Sequence, residues 1–103
     1  MSQFSVYSNP DTDTIGVFPY LVDVQNNLLE NLSTRIVIPL ARKSTHDAID
    51  NLCPIITINN HRCVLLTQQI ACVPVSVLQS LVCSIEEQRY EILNAMDFAI
   101  TGI

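Results

Sequence analysis

The 103-residue sequence is poor in the residues that the commonest catalytic and ligand-binding motifs require. It contains only two glycines, so a glycine-rich loop that cradles a phosphate group cannot be built. The apolar segments are short and interrupted by proline, asparagine or charge, and the first residues lack the basic and apolar regions of a signal peptide. We therefore expect one cytoplasmic domain that spans residues 1–103 and has no membrane segment.

Positive charge is also scarce. Five lysines and arginines stand against ten acidic residues, which gives a net charge of −5. Only Arg42 and Lys43 are adjacent in the sequence. Because contact with several phosphates requires clustered basic groups, the sequence predicts no direct binding of nucleic acid and favours a protein partner.

The chain has no recognisable metal or catalytic motif. Its four cysteines lack the C-x-x-C spacing of a zinc knuckle or a thioredoxin-like site, and each is expected to pack as a small apolar side chain. His46 lies beside Asp47 and after Ser44 and Thr45, but adjacent residues of a short loop rarely align as a hydrolytic trio. We expect no catalytic residue, no metal and no cofactor.

Most of the chain has the pattern of short β-strands rich in β-branched and aromatic residues. Two β-rich runs flank Asn59-Asn60-His61, and asparagine tolerates the left-handed conformation of a tight hairpin, with His61 exposed in the turn. Pro74 indicates a sheet edge or a bridging turn. The predicted strands are 3–8, 20–25, 35–40, 55–58 and 62–67, and 9–16 is a predicted loop. The stretch between Ala41 and Cys53 suits either an exposed loop or a short helical turn.

The C-terminal segment predicts an amphipathic helix that begins at Ser84. Ser84 and Glu87 have the spacing of a capping box, and apolar residues then recur at intervals of three, four and seven. The chain closes on Gly102-Ile103 without a polar tail, so either Ile103 covers its own core or the helix end forms a surface for a partner. The predicted apolar stripe consists of Ile85, Ile92, Leu93, Met96, Ala99, Ile100 and Ile103.

Leu28 and Leu29 form an apolar pair in the connection after a predicted strand, where exposed apolar side chains are costly. Two interpretations remain open from the sequence. Either the pair folds back into the core, or it contributes to a binding patch.

Several blocks of sequence, in order, resemble the CcdB family, the toxins of plasmid and chromosomal toxin–antitoxin modules. The resemblance extends over nearly the whole chain and implies a mainly β (α+β) fold. That fold is an SH3-like, partly open antiparallel β-barrel with a small second sheet and a C-terminal α-helix. The blocks are Gln3-Phe4-x-Val6-Tyr7, Val22-Asp23-Val24-Gln25, Val37-Ile38-Pro39-Leu40-Ala41, Val73-Pro74-Val75-Ser76-Val77, Asn94-Ala95 and Gly102-Ile103.

The same resemblance implies a function. Family members are homodimers and are not enzymes; they enter the cavity of the DNA gyrase A subunits and trap gyrase on cleaved DNA. A CcdA-type antitoxin extracts them from gyrase through a disordered C-terminal segment. Carried onto this sequence, the implied gyrase-binding residues are Leu28, Leu29, Asp97, Ile100, Thr101, Gly102 and Ile103. The implied antitoxin-binding residues are Tyr7, Asn26, Leu28, Leu29 and Thr101.

Thr101 is the main departure from the family pattern. The best-known members have a tryptophan at this place, and loss of such an interface anchor costs on the order of 2 kcal/mol or more. Either Ile100 and Ile103 compensate for this loss, or the affinity for gyrase is weaker. Asp97 likewise replaces an amide.

Two alternatives therefore stay open. The related toxins Kid and MazF are ribonucleases, although RNA binding requires clustered basic groups and this sequence scatters them. Alternatively, because of Thr101, the chain is an inactive descendant of a toxin.

Overall fold

The structure is a computed structural model that describes residues 2–102. The strands are β1 (Ser5–Ser8), β2 (Tyr20–Asp23), β3 (Thr34–Arg42), β4 (Ile55–Ile58), β5 (His61–Leu65), β6 (Ala71–Pro74) and β7 (Leu81–Ser84). One α-helix, α1 (Arg89–Thr101), follows them. Short 3-10 turns lie at Asn27–Leu29, Thr67–Gln69, Val75–Val77 and Glu86–Gln88.

The strands form one curled antiparallel sheet in the order β4-β5-β3-β2-β1-β7. The nine-residue strand β3 lies at its centre and pairs with β2 along one edge. Its other edge pairs first with β6, over Thr34–Val37, and then with β5, over Leu40–Arg42. The predicted SH3-like half-barrel with one C-terminal helix is confirmed. The predicted small second sheet is not separate among residues 2–102, because β6 pairs with β3 and joins the same sheet.

Alternation along the strands buries side chains on both faces of the sheet, because successive residues of a strand point to opposite sides. The barrel interior is the larger core, and Ile92 and Ala95 of α1 pack into it. On the opposite face, Tyr7, Val37 and Leu78 form a smaller core. The strand residues of the larger core include Val6, Val22, Ile38, Leu40, Ile56, Ile58 and Leu65.

The hairpin between β4 and β5 forms as predicted. Asn59 and Asn60 both have positive φ, 48° and 69°, which matches the right-handed twist of the flanking strands. Ile58 pairs with His61 across the turn, and His61 is exposed. Pro74 is the last residue of β6, which pairs with β3 alone among the described strands, so its predicted edge position is also confirmed.

The helix begins later than the sequence predicts. Ser84 ends strand β7, where it pairs with Ser5, and the next residue donates its backbone N–H to the Phe4 carbonyl at 2.9 Å. These sheet contacts hold Ser84 in extended conformation, so α1 begins only at Arg89 after one 3-10 turn. The capping-box start at Ser84 was therefore wrong; its Oγ accepts only the Glu86 N–H, at 3.4 Å.

The predicted apolar stripe is buried over only part of its length. Ile85 is buried although it precedes the helix, while Ile92 is buried and Leu93 and Met96 are half-buried within α1. Ala99 and Ile100 are exposed, because the last turn of the helix extends beyond the sheet core. Ile103 lies outside the described residues.

Gln88 links the two ends of the open sheet. Its Nε2 donates to the Thr57 carbonyl and its Oε1 accepts from the Thr57 N–H, each at 3.0 Å. Thr57 belongs to end strand β4, whereas Gln88 follows end strand β7. The side-chain amide thus takes the place of a peptide group on a neighbouring strand and satisfies part of an exposed sheet edge.

The four thiols are free. Cys53 and Cys63 are buried and Cys83 is half-buried, as expected, and burial raises the pKa of each of these three thiols. Cys72 was wrongly expected to be packed: it lies opposite Ile36 in the β3–β6 branch and is exposed. Among residues 2–102, no helix is long and apolar enough to cross a membrane.

Candidate protein-binding surface

The connection after β2 holds an apolar pair at the surface. Asn26 caps the 3-10 turn: its Oδ1 accepts the Leu28 N–H at 2.8 Å and its carbonyl accepts the Leu29 N–H at 2.9 Å. The turn leaves Leu28 89% exposed and Leu29 45% exposed. The interpretation of the pair as a core plug is therefore wrong, and the contribution of the exposed pair to a binding patch stays a prediction.

Buried polar groups hold this turn against the sheet. The side chain of Gln25, itself 3% exposed, donates to the Leu29 carbonyl at 2.9 Å and accepts from the Ile36 N–H at 3.1 Å. On the other side, Asn27 Oδ1 accepts the Gln3 N–H at 2.9 Å. The exposed leucines are thus carried by a turn with a defined geometry.

A buried ion pair lies beneath the same region. Asp23 Oδ2 accepts from Arg35 Nε at 2.9 Å and lies 2.6 Å from Nη2, with the two side chains 0% and 1% exposed. Asp23 Oδ1 also accepts the Gln25 N–H at 3.0 Å, which connects the pair to the turn. The pair joins an acid of β2 to a base of β3 on the sheet face of the smaller core, and the sequence did not predict it because pairing register is not visible in the sequence.

Tyr7 lies beside this ion pair and is 5% exposed. Burial raises the pKa of its hydroxyl, the negative charge of Asp23 adds to the increase, and Arg35 and a hydrogen bond with Ser5 partly oppose it. Because its ring belongs to the smaller core, an antitoxin could touch it directly only if that core opened. Asn26, by contrast, is exposed.

The end of α1 forms a second exposed group. Ile100 is 76% exposed, and the Thr101 hydroxyl donates to the Asp97 carbonyl at 2.6 Å. Gly102 ends the helix in the left-handed conformation, with φ 75°, and donates its N–H to the Phe98 carbonyl at 2.9 Å. The cap explains why glycine stands at position 102 without reference to a partner, because a positive φ is easiest for glycine.

A cavity of about 460 Å³ adjoins this helix end. It separates α1 from the loop before β4 and is lined by Asn51, Pro54, Glu91, Asn94, Asp97 and Phe98. Within residues 2–102, no hydrogen bond or ion pair joins the Asn26–Leu29 turn to residues 97–102. The single patch implied by the family resemblance therefore stays a prediction.

The basic residues are less scattered in the structure than the sequence suggests. Three of the five lysines and arginines line a single cavity of about 270 Å³. The pairing of β3 with β5 brings them together, although Arg62 is distant from Arg42 and Lys43 in the chain. The lining residues are Tyr20, Arg42, Lys43, Ser44, His61, Arg62 and Cys63.

No group of three or more histidines, cysteines, aspartates and glutamates is placed to hold a metal ion in the part of the chain that the structure describes. Among the exposed apolar side chains of the described surface are those of the Asn26–Leu29 turn and of the end of α1, which a protein partner could contact. Such contact with another protein needs no bound ion.

The fold places the chain in the class of SH3-like half-barrels with one C-terminal helix. The Mycobacterium tuberculosis toxin MazF-mt6 has a similar structure, with a TM-score of 0.62 over 78% of this chain and 83% of that one. The sequence identity is 14%, so this likeness concerns the fold alone. The sequence model described as "CcdB protein" matches residues 3–102. The chain belongs to the CcdB family and is a toxin of a toxin–antitoxin module.

Proposed function

We propose that this toxin is a DNA gyrase poison. It acts in the cytoplasm as a homodimer that binds the gyrase A subunit, traps the gyrase–DNA cleavage complex and blocks replication. A CcdA-type antitoxin neutralises it by binding the dimer. The observation that carries this proposal is the family match over residues 3–102, which includes the helix end up to Gly102.

The exposure of apolar side chains supports the proposed gyrase surface independently of the family match. Leu28 and Ile100 are the two most exposed large apolar side chains in the described part of the chain, at 89% and 76%. Both belong to the set of residues implied by the family resemblance. Burying one such side chain against a partner contributes roughly 1.5–3 kcal/mol, which is a reason to keep it exposed in the free toxin.

Thr101 does not supply the large rigid contact of a tryptophan. Its hydroxyl is occupied by the Asp97 carbonyl, which lowers its value as a hydrogen-bond donor to a partner. We infer that the apolar contribution to gyrase binding comes from Leu28, Leu29 and Ile100, together with Ile103. The homodimer presents each of these residues twice, so moderate contacts can add through avidity.

A gyrase cleavage assay tests the proposal. Purified toxin is added to gyrase, ATP and supercoiled plasmid, and linear DNA is measured after treatment with detergent and protease. We expect wild-type toxin to accumulate linear DNA, and Leu28→Asp or Ile100→Asp to reduce it strongly. Leu81→Asp is the matched control, because Leu81 is 64% exposed on β7 and lies outside the proposed surface. A chain lacking Gly102 and Ile103 is expected to stay dimeric and lose activity.

Size-exclusion chromatography of every variant separates loss of the surface from loss of the dimer. Prior incubation with a CcdA-type antitoxin is expected to prevent cleavage. An intact wild-type dimer that accumulates no linear DNA would contradict the proposal and favour an inactive descendant. Selective cleavage of added RNA would instead support the ribonuclease alternative.

A further inference from the structure

The cavity of about 270 Å³ lies at the end of the barrel where three strands start or stop. Strand β2 begins at Tyr20, β3 ends at Arg42 and β5 begins at His61. Arg42 is paired with Cys63, and the Lys43 N–H donates to the Arg62 carbonyl at 3.1 Å. The antiparallel ladder therefore fixes the backbone of Arg42, Lys43 and Arg62 at the opening of this cavity.

A tight turn holds the rim of this cavity. The Arg42 carbonyl accepts hydrogen bonds from the Thr45 N–H at 3.0 Å and the His46 N–H at 3.1 Å, and from the Thr45 hydroxyl at 3.0 Å. This turn fixes Lys43 and Ser44, which lie between those partners and both line the cavity. The rim is thus ordered by backbone contacts on both sides.

The charge of the cavity is weakly compensated. None of its lining residues is acidic. Lys43 Nζ lies 3.7 Å from Asp47 Oδ1, but Asp47 is 97% exposed and holds this contact in water. In the part of the chain that the structure describes, Arg42 and Arg62 take part in no ion pair.

The other two cations are engaged elsewhere. Arg35 is buried against Asp23, and Arg89 lies 3.9 Å from Glu86 while its guanidinium is 5.9 Å from the centre of the Phe4 ring. A protein with a net charge of −5 therefore concentrates its available positive charge at one concave site. Solubility does not require such a concentration, since dispersed charges serve it equally well.

We propose that this cavity binds the phosphate of a nucleotide, either a free nucleotide or one unit of a nucleic-acid strand. Arg42 and Arg62 both line the cavity and carry planar guanidinium groups, which suit phosphate oxygens, and Lys43 adds a point charge. Ser44 adds a hydroxyl, and the ring of Tyr20 offers a face on which a base can stack.

The size of the cavity and the remaining charge limit the ligand to about one nucleotide. A volume of about 270 Å³ lies just below the usual range for small-ligand pockets of roughly 300–1,000 Å³. Beyond the cavity, acidic residues are in excess and repel an extended polyanion. This proposal does not depend on gyrase binding, because the cavity shares no residue with the proposed gyrase surface.

Nuclear magnetic resonance of the full-length ¹⁵N-labelled toxin tests the site. The probes are inorganic phosphate, adenosine monophosphate, a pentanucleotide of single-stranded DNA and a short peptide of glutamates. We expect adenosine monophosphate to shift the amide signals of Arg42–Ser44 and His61–Cys63 in a saturable way that sodium chloride weakens. Inorganic phosphate is expected to shift the same signals with lower affinity, because it makes no contact with Tyr20.

Variants with matched controls test whether the shifts of the amide signals arise from binding in the cavity. Arg42→Gln and Arg62→Gln are each expected to weaken binding by about tenfold, which corresponds to the loss of one charge-assisted hydrogen bond. Arg89→Gln removes the same charge outside the cavity and is expected to leave binding unchanged. Tyr20→Leu should bring the affinity for adenosine monophosphate close to that for inorganic phosphate.

The outcomes are distinct. Stronger binding of the pentanucleotide than of adenosine monophosphate identifies a nucleic-acid strand as the source of the phosphate, and the reverse order identifies a free nucleotide; both support the proposal. Absence of saturable shifts with every phosphate probe overturns it. Tighter binding of the glutamate peptide, or equal loss in Arg89→Gln, also overturns it. The gyrase assay, which measures linear DNA in the presence of the same protein sample, tests the proposed toxin function separately.

Discussion

The buried pair of Asp23 and Arg35 makes a sharp prediction about stability. Asp23→Leu leaves the Arg35 guanidinium buried and without its counter-charge, and Arg35→Met leaves the Asp23 carboxylate in the same condition. We expect each single variant to lose about 3–5 kcal/mol of unfolding free energy. The double variant, which removes both charges, is expected to lose at most about 2 kcal/mol.

The magnitude follows from the geometry. The Nε–Oδ2 and Nη2–Oδ2 distances of 2.9 and 2.6 Å place the charges in direct contact, worth about 4 kcal/mol at an effective dielectric constant of 20. Water cannot replace this contact, since neither side chain is more than 1% exposed. Neither Arg35 Nη1 nor Nη2 makes a hydrogen bond among residues 2–102, although Nη2 is in ion-pair contact with Asp23, and a buried donor of this kind opposes stability by about 1–3 kcal/mol. The double variant relieves that cost.

Urea unfolding at one fixed protein concentration measures all four proteins, because dimerisation would make stability depend on concentration. The coupling energy of the cycle is therefore expected to be about 4 kcal/mol or more. If the two single losses simply add, the reasoning about a coupled buried pair is refuted. Asp23→Asn and Arg35→Lys provide milder variants should a single variant fail to fold.

Four further predictions concern local structure. Gly102→Ala places an L-residue at φ 75° and should cost about 1–2 kcal/mol at the helix end, seen as faster exchange of the residue 102 amide hydrogen, whereas Gly102→Asn should be tolerated. Asn60→Val should destabilise the hairpin by about 1–2 kcal/mol in urea unfolding while Asn60→Gly does not; equal losses would contradict the turn assignment. Gln88→Ala removes both hydrogen bonds to Thr57 and should lower the unfolding free energy by about 1 kcal/mol, with Gln88→Glu, which keeps only the acceptor, in between. Because the folded-state pKa of Tyr7 lies above its ordinary 10.0, the unfolded chain ionises first, so stability should fall as pH rises past 10.0. Tyr7→Phe should flatten that fall in urea titrations at different pH values, and an unchanged slope would contradict the assignment.

The sequence by itself determined the features that depend on neighbouring residues. The Asn59-Asn60 turn was predictable because two adjacent asparagines tolerate positive φ, and the strand pattern identified β1 to β5 because side chains of a strand alternate between two faces. Strand β7 was missed. The family could likewise be identified from ordered blocks of sequence. The C-terminal helix itself followed from apolar periodicity, whereas the exposure of its last turn did not.

Tertiary structure decided whatever depends on pairing between distant segments. The direction of Leu28 depends on hydrogen bonds from Asn26 and Gln25, and nothing in a pair of adjacent leucines distinguishes a core plug from a surface patch. Ser84 belongs to strand β7 and does not cap the helix, because its pairing with β1 outweighs a local capping signal. The ion pair and the cationic cavity both arise from strand register, which brings Arg35 into contact with Asp23 and places Arg62 at the same cavity as Arg42 and Lys43. Charged residues that are distant in the sequence become neighbours only in the folded chain, so their clustering could not be predicted from the sequence.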